Sequence, residues 1–150
     1  MNVKIVLSVI GAMATLYACN TKETTLPIVG TWELVSATTT EKDTTFSTFD
    51  PKHKMIKIIN STHFAFLNHA INPGKDSTAG EFTAGGGKYT LVDSVYTEHL
   101  EYFSDKAWEN NKFRFAVKIA GDTLIQKGVE KVDKLGIDRI IIEKYKRVTD

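Results

Sequence analysis

An all-β domain, a small sandwich or barrel, is the fold class this chain predicts, and three observations carry it. Apolar and polar residues alternate with period two almost everywhere after Val29, as strands do when one face is buried and the other wet. Turn-forming residues recur at the spacing of about eight to twelve residues that short strands produce. No stretch carries the sustained 3.6-residue apolar repeat of a long helix.

Strands are expected near 29–38, 42–49, 54–60, 62–69, 86–92, 95–103, 112–120, 123–129 and 137–147. Between the fourth and fifth, Ala70 to Gly87 reads as a loop, because Asn72-Pro73-Gly74 and Gly85-Gly86-Gly87 interrupt the rhythm. Asp93-Ser94 is a candidate two-residue turn. It would pair Val92 with Val95, Leu91 with Tyr96 and Tyr89 with Glu98, collecting Tyr89, Leu91, Tyr96, Glu98, Leu100 and Tyr102 on one face. Lys88, Thr97, His99 and Glu101 take the other face. Ser104 to Asn111, around Trp108, reads as a second loop with room for one helical turn. The strand after it separates cleanly, with Phe113, Phe115, Val117 and Ile119 on one side and Lys112, Arg114 and Lys118 on the other. Gly121-Asp122 then forms a hairpin turn, since glycine accepts positive φ.

The N-terminus carries a different kind of information. Lys4, an apolar run from Ile5 to Leu16, and Leu16-Tyr17-Ala18-Cys19 resemble a bacterial lipoprotein signal peptide with its cleavage box. The apolar run is shorter than the roughly 20 residues a spanning helix needs. The resemblance implies removal of residues 1–18 and acylation of Cys19, which would hold the protein on a lipid bilayer stably through several chains. Residues 19–28 then form the lipidated cysteine and a short polar tether, and 29–150 the folded domain. Asn20 is not the aspartate that resembles a retention signal, so an outer-membrane lipoprotein is expected, facing either the periplasm or the outside.

Composition narrows the function classes. Cys19 is the only cysteine, so disulfides, zinc–thiolate sites and a cysteine nucleophile are all excluded once it is acylated. The chain has 19 basic and 18 acidic residues, and loss of Lys4 with the signal leaves 18 of each. A neutral domain with interspersed charge gives no reason to expect nucleic acid.

Gly30-Thr31-Trp32-Glu33-Leu34 on the first strand, followed only by strands and ending on the Arg-containing Ile137 to Arg147, resembles the lipocalin-like branch of the calycin barrels. The runs Gly85 to Leu91, Tyr96 to Tyr102 and Gly121 to Leu124 are similar to the small lipocalin-like lipoproteins of Bacteroidetes-type bacteria. The resemblance implies an up-and-down antiparallel β-barrel of eight or nine strands. It further implies a structural plug in which Trp32, after Gly30, lies across the closed end under a basic residue of the last strand, either Arg139 or Arg147. An arginine over an indole is worth about 0.5–2 kcal/mol.

Catalytic and metal-binding patterns are weak. His63 and His69 share a strand face but sit six residues apart, roughly 20 Å along a strand and too far for one metal. His99 and Glu101 lack a third ligand. Gly85-Gly86-Gly87-Lys88 is not a phosphate loop, because Tyr89 stands where Ser or Thr is needed and the segment leads into a strand. No enzyme, metal or cofactor is therefore predicted.

The expected function is binding of one small, largely apolar molecule inside the barrel, lined by Phe64, Phe66, Tyr89, Leu91, Tyr96, Glu98, Leu100, Phe113, Phe115 and Val117. Glu98, flanked by aromatics, should have a raised pKa unless partnered, and would hold a ligand's polar end or a buried tyrosine hydroxyl. The rival is a protein-binding module acting through loops 70–87 and 104–111, with Phe82 and Trp108 as exposed anchors, although the sequence names no partner. A barrel enzyme using Glu98 and Tyr96 stands third.

Overall fold

A computed structural model describes residues 26–71 and 82–149. The signal segment 1–18, Cys19, the tether as far as residue 25, and residues 72–81 of the first long connection lie outside the described residues. Ten strands are present: β1 (Gly30–Glu41), β2 (Thr44–Ser47), β3 (His53–Ile59), β4 (His63–Ala70), β5 (Phe82–Val92), β6 (Val95–Leu100), β7 (Tyr102–Phe103), β8 (Asn111–Ala120), β9 (Thr123–Val132) and β10 (Ile137–Arg147). The only helical pieces among the described residues are single 3₁₀ turns at Lys106–Trp108 and Asp133–Leu135.

Eight strands close a ring in the order β1, β3, β4, β5, β6, β8, β9, β10 and back to β1, every pair antiparallel. The fold is therefore the expected up-and-down β-barrel, with eight strands in the wall. The expected strand at 42–49 is shorter and lies off the ring. Lys42 and Asp43 both have positive φ and form a tight turn, so β2 folds back to pair only with the far half of β1. β1 thereby pairs with β3 from Gly30 to Glu33 and with β2 from Thr38 to Glu41, while β10 runs along its other edge.

The two hairpins expected from turn chemistry form in the expected register. Val92 pairs with Val95 and Tyr89 with Glu98 around Asp93, while Ala120 pairs with Thr123 around Gly121. Asp93 and Gly121 have φ of 54° and 56°, the left-handed region such turns require. On β8, Phe113, Phe115 and Val117 are buried and Lys112, Arg114 and Lys118 exposed, so the alternation of the sequence is the alternation of the wall.

The expected loop at 70–87 is a strand from Phe82 onward. Gly85, Gly86 and Gly87 pair with Phe66, Ala65 and Phe64 of β4. The reason lies in the neighbouring strand. From Tyr89 to Gly86 β5 advances three residues, whereas from Glu98 to Tyr102 its partner advances four, so a β-bulge splits the expected strand 95–103 into β6 and β7. The bulge pushes the His99 carbonyl over Gly87, into the space a Cβ would occupy. Glycine here relieves a close approach rather than marking a loop.

Gly87→Ala is accordingly expected to cost about 3 kcal/mol or more, since the clash is with backbone. Gly121→Ala, where nothing lies within 4 Å and only the positive φ is unfavourable, should cost about 1–2 kcal/mol. Urea unfolding of the two variants measures the difference.

Candidate functional site

The barrel interior divides into a packed end, a polar floor and a cavity. At the packed end Trp32 is fully buried and donates from Nε1 to the Ile28 carbonyl at 2.8 Å. The Arg147 guanidinium lies 4.0 Å from the indole centroid and donates to the carbonyls of Val29 and Pro27 at 2.8 and 2.6 Å. Arginine and indole thus close the barrel, tying the incoming chain to the last strand. Ile59, Leu124 and Tyr145 fill the space beneath them.

Arg139 takes no part in this plug. It lies eight residues back along β10, about 26 Å at strand spacing. It instead donates from Nε to Glu130 Oε2 of β9 at 2.7 Å, with Nη2 2.7 Å from the same oxygen, and its guanidinium sits 5.6 Å from the Trp108 ring centroid. Of the two candidates, the plug arginine is Arg147.

The polar floor is built from inward positions of four strands. Lys57 of β3 and Glu98 of β6 are 3% and 7% exposed, and Lys57 Nζ donates to Glu98 Oε1 at 2.8 Å and to Gln126 Oε1 of β9 at 3.1 Å. Gln126 Nε2 passes the chain to Glu143 Oε2 of β10 at 3.3 Å, which also accepts from the Tyr145 hydroxyl at 2.6 Å. The Lys57 ammonium further lies 5.2 Å from the Tyr145 ring centroid. Glu98 is therefore partnered by an ammonium. The Tyr96 hydroxyl is buried beside it and also favours its charged form, although it meets no strict hydrogen-bond geometry among the described residues.

Burial still dominates the carboxylate's electrostatics. Desolvation raises the Glu98 pKa; the Lys57 ammonium pulls against that, and the Glu143 carboxylate adds to it. Glu130 is raised in the same way by burial, opposed by Arg139.

Beyond the floor lies a partly open cavity of about 200 Å³. Phe66, Phe103, Trp108, Phe113 and Phe115 wall it, and Lys57, Glu98, Gln126 and Glu143 form its base. Of the ten expected lining residues, Phe66, Glu98, Leu100, Phe113 and Phe115 face this cavity. Phe64, Tyr89, Leu91, Tyr96 and Val117 pack into or against the core and do not line it. Tyr89 leans on Tyr96 at 5.1 Å between centroids and donates to the Asn60 carbonyl.

Trp108 is not the exposed anchor expected of its loop. It is half-buried and packs against Phe103 and Phe113 at centroid distances of 5.9 and 6.2 Å, forming cavity wall. Phe82 is 56% exposed.

Sequence reasoning missed Lys57, Gln126, Glu130 and Glu143, and the signal was present. Met55, Lys57 and Ile59 alternate on β3, and on β10 the inward Tyr145 carries Glu143, Ile141 and Arg139 inward with it. Among the described residues no three His, Cys, Asp or Glu side chains could hold a metal ion.

Removing one member of the buried pair should cost more than removing both. Lys57→Met strands Glu98 and is expected to cost about 3–5 kcal/mol, while Lys57→Met with Glu98→Leu recovers most of it; urea unfolding of the cycle reads both. A second outcome concerns pH. Because the folded Glu130 pKa lies above its ordinary value of 4.5, its contribution to stability is full below that pH and is lost as pH rises through the folded value. The stability difference between wild type and Glu130→Gln should shift against wild type as pH rises above 4.5, in denaturant titrations at each pH.

Comparison with curated proteins finds no match. Residues 27–150 match the family described as Domain of unknown function (DUF4488), and since they make up most of the chain, the chain belongs to that family.

Proposed function

We propose that the protein is an envelope lipoprotein, lipocalin-like in its working, whose barrel binds one small molecule with an apolar, ring-sized body and a polar end. The observation that carries this reading is the cavity of about 200 Å³ between an aromatic wall and a polar floor. An eight-stranded barrel is just wide enough for side chains to fill, so space left beside a hydrogen-bonded floor is a property of these residues. A dry cavity of about 150 Å³ takes a benzene; this one accommodates a molecule somewhat larger. Aromatic walls with a few convergent polar groups are the usual composition of small-molecule sites.

Binding is favoured over turnover by the state of the two residues that a barrel enzyme would use. Glu98 is engaged by Lys57, and Tyr96 is fully buried in the core and does not line the cavity. Its hydroxyl pKa is driven up by burial and by Glu98, which suits neither a base nor a nucleophile. Anchoring rests on Leu16-Tyr17-Ala18-Cys19 and places the barrel on a bilayer through an acylated Cys19, in the outer membrane.

One measurement tests both halves. The native protein, extracted in mild detergent, is expected to show in a denaturing mass spectrum a chain beginning at Cys19 and carrying acyl groups, together with a stoichiometric small molecule. An empty protein that also excludes a solvatochromic dye would overturn the binding reading. An unmodified Cys19 would overturn the anchoring reading.

A further inference from the structure

The charges facing the cavity do not balance. Lys57, Glu98, Glu130, Arg139 and Glu143 all line it: two cations against three carboxylates. Lys57 pairs with Glu98 at 2.8 Å and Arg139 with Glu130 at 2.7 Å. Glu143 is left over. Its hydrogen bonds come from the neutral donors Gln126 Nε2 and Tyr145 Oη, both to one oxygen, Oε2. No cationic side chain among the described residues pairs with it.

Resting on the cavity reading above, we propose that the polar end of the ligand is a cation, and that the site takes a small organic amine in its protonated form with Glu143 as the counter-ion. Three features of the pocket converge on that class. An unpaired carboxylate on the wall of a partly enclosed cavity is stabilised by an opposite charge more than a fully exposed one is. Its two neighbouring carboxylates add to the negative field, since Glu143 repels both Glu98 and Glu130. The walls include the aromatic rings of Phe66, Phe113 and Phe115, a residue type whose quadrupole attracts a cation. The same field excludes an anionic ligand of equal size. A volume of about 200 Å³ limits the body to about one ring with a short arm.

Three probes of one shape and different charge separate the alternatives: benzylamine, benzyl alcohol and benzoate, titrated by calorimetry into the full-length chain in detergent and an amine-free buffer at neutral pH. Benzylamine is expected to bind at least about tenfold more tightly than benzyl alcohol, the scale of a charge-assisted hydrogen bond in a buried site, and benzoate not measurably. Glu143→Gln keeps an acceptor for Gln126 and Tyr145, and should abolish the preference for benzylamine over benzyl alcohol. Equal binding of benzylamine and benzyl alcohol by the wild type would overturn the cation assignment and leave the cavity reading standing. Tighter binding of benzoate would do the same. Failure of all three to bind the folded protein would remove both.

Discussion

Closure of the sheet is the constraint from which the rest of this structure follows. With no α-helix among the described residues to cover a face, the strands can bury their apolar side only against one another, and pairing β1 with β10 is the step that completes the ring. That seam has a register, Trp32 opposite Arg147 and Thr39 opposite Ile141, and the register decides what β10 contributes to the interior. Once Arg147 stacks on Trp32, the two-residue repeat of the strand turns Tyr145, Glu143, Ile141 and Arg139 inward in succession. The plug and the polar floor are therefore consequences of one alignment.

The floor is an unusual use of a small barrel's centre. A buried ion pair seldom adds net stability over an apolar pair of the same size, because desolvation offsets the attraction. Here the cost is reduced by completing the network: Lys57 has Glu98 and Gln126, Gln126 has Glu143, and Glu143 has Tyr145. Three of the four links are of ordinary length, and the one from Gln126 to Glu143, at 3.3 Å, is long. The arrangement holds polar groups rigidly at the base of an aromatic cavity, which is what a binding site needs and what a core does not. Glycine serves the same end from the wall. Gly85 has no Cβ where the rings of Phe66 and Phe103 converge, and both rings line the cavity.

Much of the wall was legible in the sequence. Faces of β8 and of the β5–β6 hairpin followed from alternation and a two-residue turn, and Tyr89 opposite Glu98 is where that reasoning puts it. The expected strand 86–92 begins earlier, at Phe82, because the glycines that suggest a loop by their commonest use in turns here answer a bulge on another strand. Half of the expected lining residues pack into or against the core instead of facing the cavity, Phe64 and Tyr96 among them. Alternation says which side of a strand a residue faces but not its height in the barrel, which depends on strand stagger.

What the sequence determined by itself is local: which segments are strands, which face of each is apolar, and where two-residue turns join them, because backbone geometry sets all three within a few residues. Only the tertiary structure decided that Lys57 meets Glu98 and Gln126, 41 and 69 residues away along the chain. Those meetings depend on the stagger of every strand between them and on closure of the ring, quantities that no single segment encodes. The unpaired charge of Glu143 belongs to that second class, since a carboxylate lacks a counter-ion only relative to neighbours that the fold has chosen.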